Sequence, residues 1–269
     1  MQEYHILSLS GGKDSTALAF FIKENMPAIF EQLEFVFFDT ECELTETYEY
    51  LNKIEMFLGK PIERIKPYYS FDHLYSIYNI LPSAMKRWCT VEMKTKTFRK
   101  YIHERIANGN KVNVYIGIRA DELHRVNNSH DDAFITQLYP FVENNINKED
   151  VTNILINQGI GMPDYYKWRS RSGCYFCFFQ RKIEWVGLYE NHPDLFQKAI
   201  DYEEKGSKER GKKFTWCQDI SLRKLIEPEN IKKIKESYQS RLKKTSNQGL
   251  MEMMADDCED VNNCIFCHI

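Results

Sequence analysis

Apolar runs alternate with stretches of helical periodicity along the first half of the chain. Short apolar runs predict buried strands at residues 5–9, 33–38, 61–65 and 112–118. Between them, apolar side chains recur at the spacing of one helix face, which predicts helices at residues 14–25, 46–58 and 91–107. Gly59 follows the second of these helices, at the position where glycine commonly ends a helix.

Strands that alternate with helices are typical of right-handed crossovers between parallel strands. The pattern therefore predicts an α/β fold over residues 1–140, with a mostly parallel twisted sheet and helices on both faces. Ligands bind such sheets outside the carboxyl ends of the strands. Because residues 10–15, 39–40 and 119–122 each follow a predicted strand, we expect them at one edge of the sheet.

The pattern changes after Pro140. Residues 141–245 are predicted to form a mainly helical region that contains a Cys-x-x-Cys pair, with Pro193 and Pro228 near helix starts. Residues 246–269 form an acidic, cysteine-rich tail. The sequence thus divides into three parts.

The composition is that of an ordinary globular protein, with 43% hydrophobic and 28% charged residues. No run approaches the roughly 20 apolar residues that cross a bilayer. The first residues carry neither a basic leader nor a small-residue cleavage site. We therefore expect a cytoplasmic protein without a membrane partner.

Charge is distributed unevenly behind a net charge of −3. Residues 205–244 carry 13 Lys and Arg against 5 Asp and Glu, whereas residues 245–269 carry 5 acidic residues and no Lys or Arg. This distribution predicts either a polyanion-binding face or a solvated helix followed by a mobile tail.

The segment Ser-Gly-Gly-Lys-Asp-Ser at residues 10–15, here called the glycine loop, stands between a predicted strand and a predicted helix. Glycines let backbone amides approach an anion, the helix N-terminus adds its positive dipole end, and Lys13 adds a cation. These features predict a solvent-facing phosphate loop, although the Walker and dinucleotide patterns are absent. The alternative is a turn in which Asp14 or Ser15 only caps the helix.

Several motifs together resemble one enzyme family. The glycine loop is similar to the PP-loop of the adenine nucleotide alpha-hydrolase superfamily. Within that superfamily the chain resembles the phosphoadenosine phosphosulfate (PAPS) reductase family, and it is similar also to DNA phosphorothioation sulfur-transfer enzymes. The other matching segments are Asp39-Thr40-Glu41-x-Glu43-x-x-Glu46-Thr47, Arg87-Trp88-Cys89-Thr90 with Lys94, Gly117-Ile118-Arg119-Ala120-Asp121-Glu122 with Arg125, and Arg171-Ser172-Gly173-Cys174-x-x-Cys177. Glu41 stands where the family often has glycine, which puts the pocket beside Asp39 in question.

The resemblance implies a site for an adenine nucleotide, either ATP or PAPS, with Mg²⁺ as a candidate companion. It assigns the phosphate or sulfate oxygens to Ser10, Gly11, Gly12, Lys13, Asp14 and Ser15. Asp39 and Thr40 would lie beside the nucleotide, and Arg119 and Arg125 would contact phosphate, which suits a guanidinium. A turn carboxylate at Asp39 and a surface ion pair at Arg119 are the alternatives.

Eight cysteines are too few for a disulfide scaffold in 269 residues, so the clustered ones predict metal or redox sites. The resemblance to iron–sulfur branches implies a [4Fe-4S] cluster on Cys89, Cys174 and Cys177, with Cys217 as candidate fourth ligand. The C-terminal cysteines are the alternative fourth ligand. Zinc would suit the same spacing.

The tail contains Cys258, Cys264 and Cys267, with His268 beside the last of them. A Cys-x-x-Cys pair can cycle between dithiol and disulfide, and a neighbouring His can lower a thiol pKa. Cys264 and Cys267 are therefore candidate nucleophiles. Two alternatives are equally open: the tail cysteines bind a metal together with Cys258, or the tail has no chemical role.

Three functions are compatible with these residues. In the first, ATP adenylates an acceptor such as a nucleic acid, and a sulfur-donor protein supplies the sulfur that is installed. In the second, a tail thiolate attacks the sulfur of PAPS or adenylyl sulfate, and sulfite is released with a thiol reductant protein. The first is favoured by the presence of the basic segment 205–244 and by the absence of the reductase Glu-Cys-Gly tail. The third is a non-catalytic nucleotide-binding module with structural zinc.

Overall fold

The structure, a computed structural model, describes residues 2–126, 133–210, 215–217 and 219–247. The strands are β1 (Glu3–Ser8), β2 (Leu33–Phe38), β3 (Ile62–Ile65), β4 (Lys111–Tyr115) and β5 (Ile135–Leu138). The helices are α1 (Lys13–Asn25), α2 (Pro27–Gln32), α3 (Thr45–Leu58), α4 (Phe71–Tyr78), α5 (Lys96–Ile106), α6 (Pro140–Glu143), α7 (Lys148–Asn157), α8 (Lys182–Asn191), α9 (Pro193–Arg210), α10 (Leu222–Leu225) and α11 (Pro228–Asn247). A π-helical turn at Thr90–Thr95 leads into α5, and 3₁₀ turns occupy Ala120–Arg125 and Asp164–Lys167.

The described strands form one sheet that is parallel throughout, in the order β3-β2-β1-β4-β5. Leu7 of β1 pairs with Phe35 of β2 on one side and with Tyr115 of β4 on the other. The chain adds β2 and β3 on one side of β1 and then returns to add β4 and β5 on the other. The order therefore reverses between β1 and β4, which is where such folds bind ligands.

Alternate residues of the central strands bury opposite faces of the sheet. Leu7 and Phe35 pack against α1, α3 and α7 in one core cluster. Ile6 and Val36 pack against α5 in another cluster on the opposite face. Helices thus cover both faces, and the predicted α/β class is confirmed.

A third core cluster joins α4 to the helical region. The ring centroids of Phe71 and Phe176 lie 4.2 Å apart, and Phe176 stacks on Trp216 at 5.4 Å. Trp185 of α8 is fully buried in the same cluster. The helical region therefore shares a core with the first half of the chain, and the predicted boundary at residue 140 stays a prediction.

The predicted strands are present, with bounds that shift by at most three residues. Pro193 and Pro228 begin α9 and α11, as predicted. β5 was not predicted because Ile-Thr-Gln-Leu is a short edge strand without an apolar run. In the described part of the chain, no helix has the length and apolar character needed to cross a membrane.

Candidate functional site

The carboxyl ends of β1 and β4 meet where the strand order reverses. A Cβ atom at Gly117 would lie 3.2 Å from the backbone carbonyl of Asp14, so a side chain here would crowd the first turn of α1. Arg119 Nη1 donates to Asp14 Oδ1 at 2.9 Å. The segment after β4 is therefore in direct contact with the glycine loop, as expected from the strand ends.

Both glycines of the loop are needed for its shape. Gly11 has a φ of 72°, in the left-handed region that favours glycine. A Cβ atom at Gly11 would lie 2.6 Å from Thr47 Cγ2, and one at Gly12 would lie 2.8 Å from Ser172 Oγ. The loop is thus enclosed by α3 on one side and by the segment before Cys174 on the other.

The glycine loop ends at the N-terminus of α1. Gly12 is the N-cap residue, and no side chain caps the helix. Asp14 and Ser15 lie inside the first turn, where the Ser15 hydroxyl accepts from the backbone N–H of Ser10 at 3.2 Å. The helix thus begins without the side-chain cap that the alternative interpretation required.

Two tyrosines from the 3₁₀ turn Asp164–Lys167 cover the glycine loop. The Tyr165 hydroxyl donates to the Gly11 carbonyl at 2.8 Å, and the backbone N–H of Lys13 donates to the Tyr166 hydroxyl at 3.3 Å. The Lys13 side chain is only 11% exposed. The expectation of a solvent-facing loop is therefore wrong, because a segment some 153 residues further along folds over it.

The cations of the site are held by carboxylates. Lys13 Nζ lies 2.8 Å from Asp14 Oδ2, and Arg119 bridges Asp14 and Asp121 at 2.9 and 3.0 Å. Burial alone would lower the pKa of Arg119, but Asp14, Asp121 and Glu122 raise it above its usual value. Arg119 therefore fixes the start of α1, and a phosphate contact from it stays a prediction.

Arg125 is also buried, and its Nη1 atom donates to Glu122 at 2.8 Å. Its Nη2 atom is buried without a hydrogen-bond partner among the described residues. A buried guanidinium nitrogen without a partner is costly. This donor is consistent with the predicted phosphate contact of Arg125.

Asp39 and Thr40 follow β2 at the same edge. Asp39 Oδ1 accepts from the Tyr48 hydroxyl at 2.7 Å and from the Glu41 backbone N–H at 2.8 Å. Burial and the Asp39 carboxylate raise the pKa of Tyr48. Glu41 has a φ of 59°, so it adopts the left-handed conformation that favours glycine. The turn beside Asp39 thus forms despite Glu41.

Three of the predicted metal ligands line one cleft, which we call the cysteine cleft: Cys89, Cys174 and Cys177. Its cavity volume is about 60 Å³, which leaves room for a small group beside the cysteines. The other lining residues are Thr40, Phe71, Pro82, Thr90, Met93, Lys94, Arg171, Ser172, Gly173, Phe176, Phe178 and Phe179. The structure therefore brings together cysteines that are distant in sequence.

Cys174 lies in a polar corner of this cleft. Its sulfur is 3.3 Å from the Thr40 hydroxyl and 3.8 Å from Glu43 Oε1. Burial and the Glu43 carboxylate raise the pKa of Cys174 well above its usual value. A metal that binds here must therefore displace a thiol proton.

Cysteine is the residue type that binds iron–sulfur clusters, but the cleft supplies three thiolates where a cluster ordinarily takes four. In the ranges that the structure describes, no group of three or more ligating side chains is assembled at metal-binding distance. Cys217 does not line the cleft; it is buried in the helical region, where burial raises its pKa to about 12. Cys258, Cys264 and Cys267 lie outside the described residues.

Ser172 connects the cysteine cleft to the glycine loop. It lines the cleft, and its hydroxyl donates to Ser10 Oγ at 3.1 Å. Neither this role nor the cover by Tyr165 and Tyr166 was predicted from the sequence. Ser172 stands inside a recognised motif, whereas nothing in the local pattern marks the two tyrosines.

Comparison with protein families gives one match that spans most of the chain. The family model described as phosphoadenosine phosphosulfate reductase domain matches residues 4–177. A protein of Methanocaldococcus jannaschii, MJ0973, is 23% identical over 88% of this chain and 56% of its own length. The nin region protein ORF290 of Escherichia phage lambda is 23% identical over 76% of this chain and 75% of its own length. The chain thus spans little more than half of the archaeal relative.

Two solved structures are similar at low identity. The PAPS reductase of Candida auris, in a phosphate complex, has a TM-score of 0.49 and 12% identity over 66% of this chain and 83% of its own. The U34-tRNA thiolase NcsA of Methanococcus maripaludis, with its [4Fe-4S] cluster, has a TM-score of 0.40 and 14% identity over 77% of this chain and 72% of its own. Likeness at this level supports no conclusion about chemistry.

Proposed function

The chain belongs to the phosphoadenosine phosphosulfate reductase domain family, and on that premise we propose that it is a PP-loop enzyme that uses an adenine nucleotide to drive sulfur transfer at the cysteine cleft. The observation that best supports this proposal is a 3.1 Å hydrogen bond between Ser172, which lines the cleft, and Ser10 of the glycine loop. A nucleotide on the loop and a sulfur atom at the cleft would be neighbours, as group transfer between them requires.

The glycine loop supplies the phosphate contacts in this proposal. The backbone N–H groups of Gly12 and Lys13 donate to the hydroxyl oxygens of Ser10 and Tyr166. Phosphate oxygens are stronger acceptors than hydroxyls, and the N-terminus of α1 favours negative charge. Phosphate would therefore displace Tyr166 and share Lys13 with Asp14.

ATP, with Mg²⁺ as counter-ion, is the nucleotide that this proposal favours. An acceptor oxygen attacks the α-phosphorus, the bond to the bridging oxygen breaks, and pyrophosphate leaves. A sulfur nucleophile from a sulfur-donor protein then attacks the adenylated acceptor, and AMP leaves with the original oxygen. The excess of basic residues over 205–244 supports a polyanionic acceptor.

Cys89, Cys174 and Cys177 would hold the metal group, either a [4Fe-4S] cluster or zinc. When bound, the metal supplies positive charge that keeps a sulfur ligand deprotonated. Thr40 and Glu43 hold Cys174 at the wall of the cleft nearest Asp39. The fourth ligand would come from the tail or from the sulfur donor, since Cys217 is not in the cleft.

The family description itself favours a second candidate, reduction of PAPS or adenylyl sulfate. That reaction requires a mobile cysteine whose thiolate attacks the sulfur, so that the bond from sulfur to the phosphate oxygen breaks and the nucleotide leaves. Cys267 or Cys264 of the tail would serve. Sulfite then leaves when a thiol reductant resolves the enzyme-bound thiosulfonate. The two functions share the nucleotide site and differ in the atom that is attacked.

Product analysis separates the candidates. The full chain is purified anaerobically and incubated with ATP and a deproteinised cell extract, or with PAPS and dithiothreitol. We expect pyrophosphate from ATP and no sulfite from PAPS. Sulfite from PAPS would establish the reductase instead, and nucleotide binding without either product would leave a binding module.

Metal content tests the cysteine cleft separately from turnover. We expect Cys89→Ser, Cys174→Ser and Cys177→Ser each to reduce bound iron or zinc at least tenfold, while Cys42→Ser and Cys217→Ser retain it. A brown protein with four irons per chain identifies the cluster, and a colourless protein with one zinc identifies the alternative. Equal metal content in all five variants would show that the cysteine cleft is not the metal site.

A further inference from the structure

An aromatic and cationic group forms the rim of the cysteine cleft. The guanidinium carbons of Arg171 and Arg87 lie 5.1 and 5.9 Å from the centroid of the Phe179 ring. Both distances are within the reach of a cation–π contact. The Phe178 and Phe179 rings are 4.3 Å apart, and both residues are partly exposed. The rim thus presents ring faces and guanidinium planes to whatever enters the cleft.

The charged side chains that line the cleft are basic, although the Glu43 carboxylate contacts the Cys174 sulfur at 3.8 Å. Lys94 and Arg171 line it, and no aspartate or glutamate does. In the described part of the chain, Arg171 has no ion pair with a carboxylate within 4.0 Å, in contrast to Arg119 at the glycine loop. The basic rim of the cleft therefore attracts an anionic ligand.

The positive surface extends from the rim towards α11. Arg181, two residues beyond Phe179, places its guanidinium 5.7 Å from the ring centroid of Tyr238 in α11. That helix carries Lys232 and Lys233 on its exposed surface and belongs to the basic segment 205–244. A chain-like polyanion that reaches the cleft would therefore meet further basic side chains, of which Arg181 and Lys232 lie within 4.0 Å of a glutamate.

We propose that this rim binds a single-stranded nucleic acid, with one base stacked on Phe179 and the adjacent phosphates held by Arg171 and Arg87. Stackable rings combined with a cationic path are the chemistry that single strands require, because every base has a ring face and every linkage a negative charge. A paired base is not accessible to such a rim, so duplex binds less well. The inference rests on the proposed function, whose acceptor it names.

Stacking on Phe179 delivers the base to the sulfur site. Phe179 and Cys177 are two residues apart and line the same cleft as Cys89 and Cys174. Ser172 lies next to Arg171 and contacts the glycine loop. The base would thus lie between the cysteines and the nucleotide, where an adenylated acceptor must be.

Fluorescence anisotropy of the full chain with labelled 20-nucleotide single strands, one RNA and one DNA, tests the proposal without turnover. We expect binding of at least one strand that is about tenfold or more tighter than binding of the matching duplex. Phe179→Ala should weaken it by about tenfold or more, and Phe179→Tyr should retain it. Arg171→Ala should lower the salt slope by about 0.7.

Two matched variants control for lost fold and lost charge. Tyr68→Ala removes an aromatic side chain that is 88% exposed and does not line the cleft, and Arg64→Ala removes a partly exposed arginine that pairs with Glu55 outside the cleft and the basic segment. Both should bind as the unaltered chain does. Unchanged affinity in Phe179→Ala, equal affinity for duplex, or no single-strand binding would each overturn the proposal. Pyrophosphate release from ATP with a nuclease-treated extract would leave the proposed function standing.

Discussion

Gly11 and Thr47 are packed so closely that a side chain at residue 11 cannot be accommodated. A Cβ atom there would lie 2.6 Å from Thr47 Cγ2, and the Gly11 φ of 72° already favours glycine. Thr47 belongs to the motif that begins at Asp39 and lies fully buried in the first turn of α3. Its methyl group therefore shapes the glycine loop from the neighbouring element.

Gly11→Ala is expected to destabilise the protein by about 2–4 kcal/mol, because it adds both backbone strain and a steric overlap. Gly109→Ala is the matched control, since Gly109 has a φ of 73° but no atom within 4 Å of its Cβ position. Urea unfolding should show a larger loss for Gly11→Ala. Adding Thr47→Ser, which deletes only the overlapping methyl group, should recover about half of the difference. Equal losses at the two glycines would contradict the steric account.

The hydrogen bond between Ser172 and Ser10 should be measurable as a coupling energy. In a double-mutant cycle of Ser10→Ala and Ser172→Ala, we expect an interaction of about 0.5–1.5 kcal/mol in the free energy of unfolding. Ser8→Ala is the control, because the Ser8 hydroxyl is buried without a partner among the described residues. Its effect should add to that of Ser172→Ala. Additivity in both cycles would show that the two segments are not coupled.

Arg119 is expected to act on stability more than on nucleotide affinity. Arg119→Met leaves Asp14 and Asp121 without their shared cation and should cost about 3–5 kcal/mol, since Asp14 is buried and Asp121 is mostly shielded from solvent. Arg64→Met breaks a partly exposed pair with Glu55 and should cost less than about 1 kcal/mol. Thermal unfolding measures the difference. A folded Arg119→Met protein of normal stability that has lost ATP binding would instead assign Arg119 to phosphate.

Local periodicity was sufficient to predict β1 to β4 and their order along the chain. Residues close in sequence determine the apolar run of β1 and the glycine loop that follows it. The same holds for Gly59, which ends α3. β5 escaped prediction because a short edge strand has no buried face to impose a pattern. Hydrophobic patterning thus specifies the secondary structure of each segment. It specifies less about which distant segments come into contact.

The candidate site depends on contacts that no local pattern encodes. Tyr165 and Tyr166 contact the glycine loop across 154 and 153 residues of sequence. The sequence around these tyrosines looks like that of any buried turn. Motif resemblance identified the three cysteines that share a cleft but did not identify a fourth ligand, and Cys217, our candidate for it, is buried elsewhere in the third core cluster. A cysteine outside a recognised motif looks the same in sequence whether it packs or binds metal.

The segment that enters the cysteine cleft is supported by Glu184, and this support should make it sensitive to acid. Glu184 is almost fully buried, and its carboxylate accepts from the backbone and hydroxyl of Ser170 and from the backbone of Arg181. Burial alone would raise the pKa of Glu184, but the bonds from Ser170 and the charge of Arg181 lower it below its ordinary value of 4.5. The ionised form therefore stabilises the fold.

A group whose pKa is lower in the folded than in the unfolded state contributes stability above the unfolded pKa and loses it as pH falls through the folded pKa. The unaltered protein should therefore lose free energy of unfolding below pH 4.5 in part through Glu184. Glu184→Gln should cost about 1–3 kcal/mol at pH 7, and the cost should shrink as the pH is lowered. Glu204→Gln, at an exposed residue paired with Arg223, is the control and should cost less than about 1 kcal/mol. Urea unfolding between pH 3.5 and 7 measures both, and a pH-independent cost for Glu184→Gln would show that its charge does not support the segment.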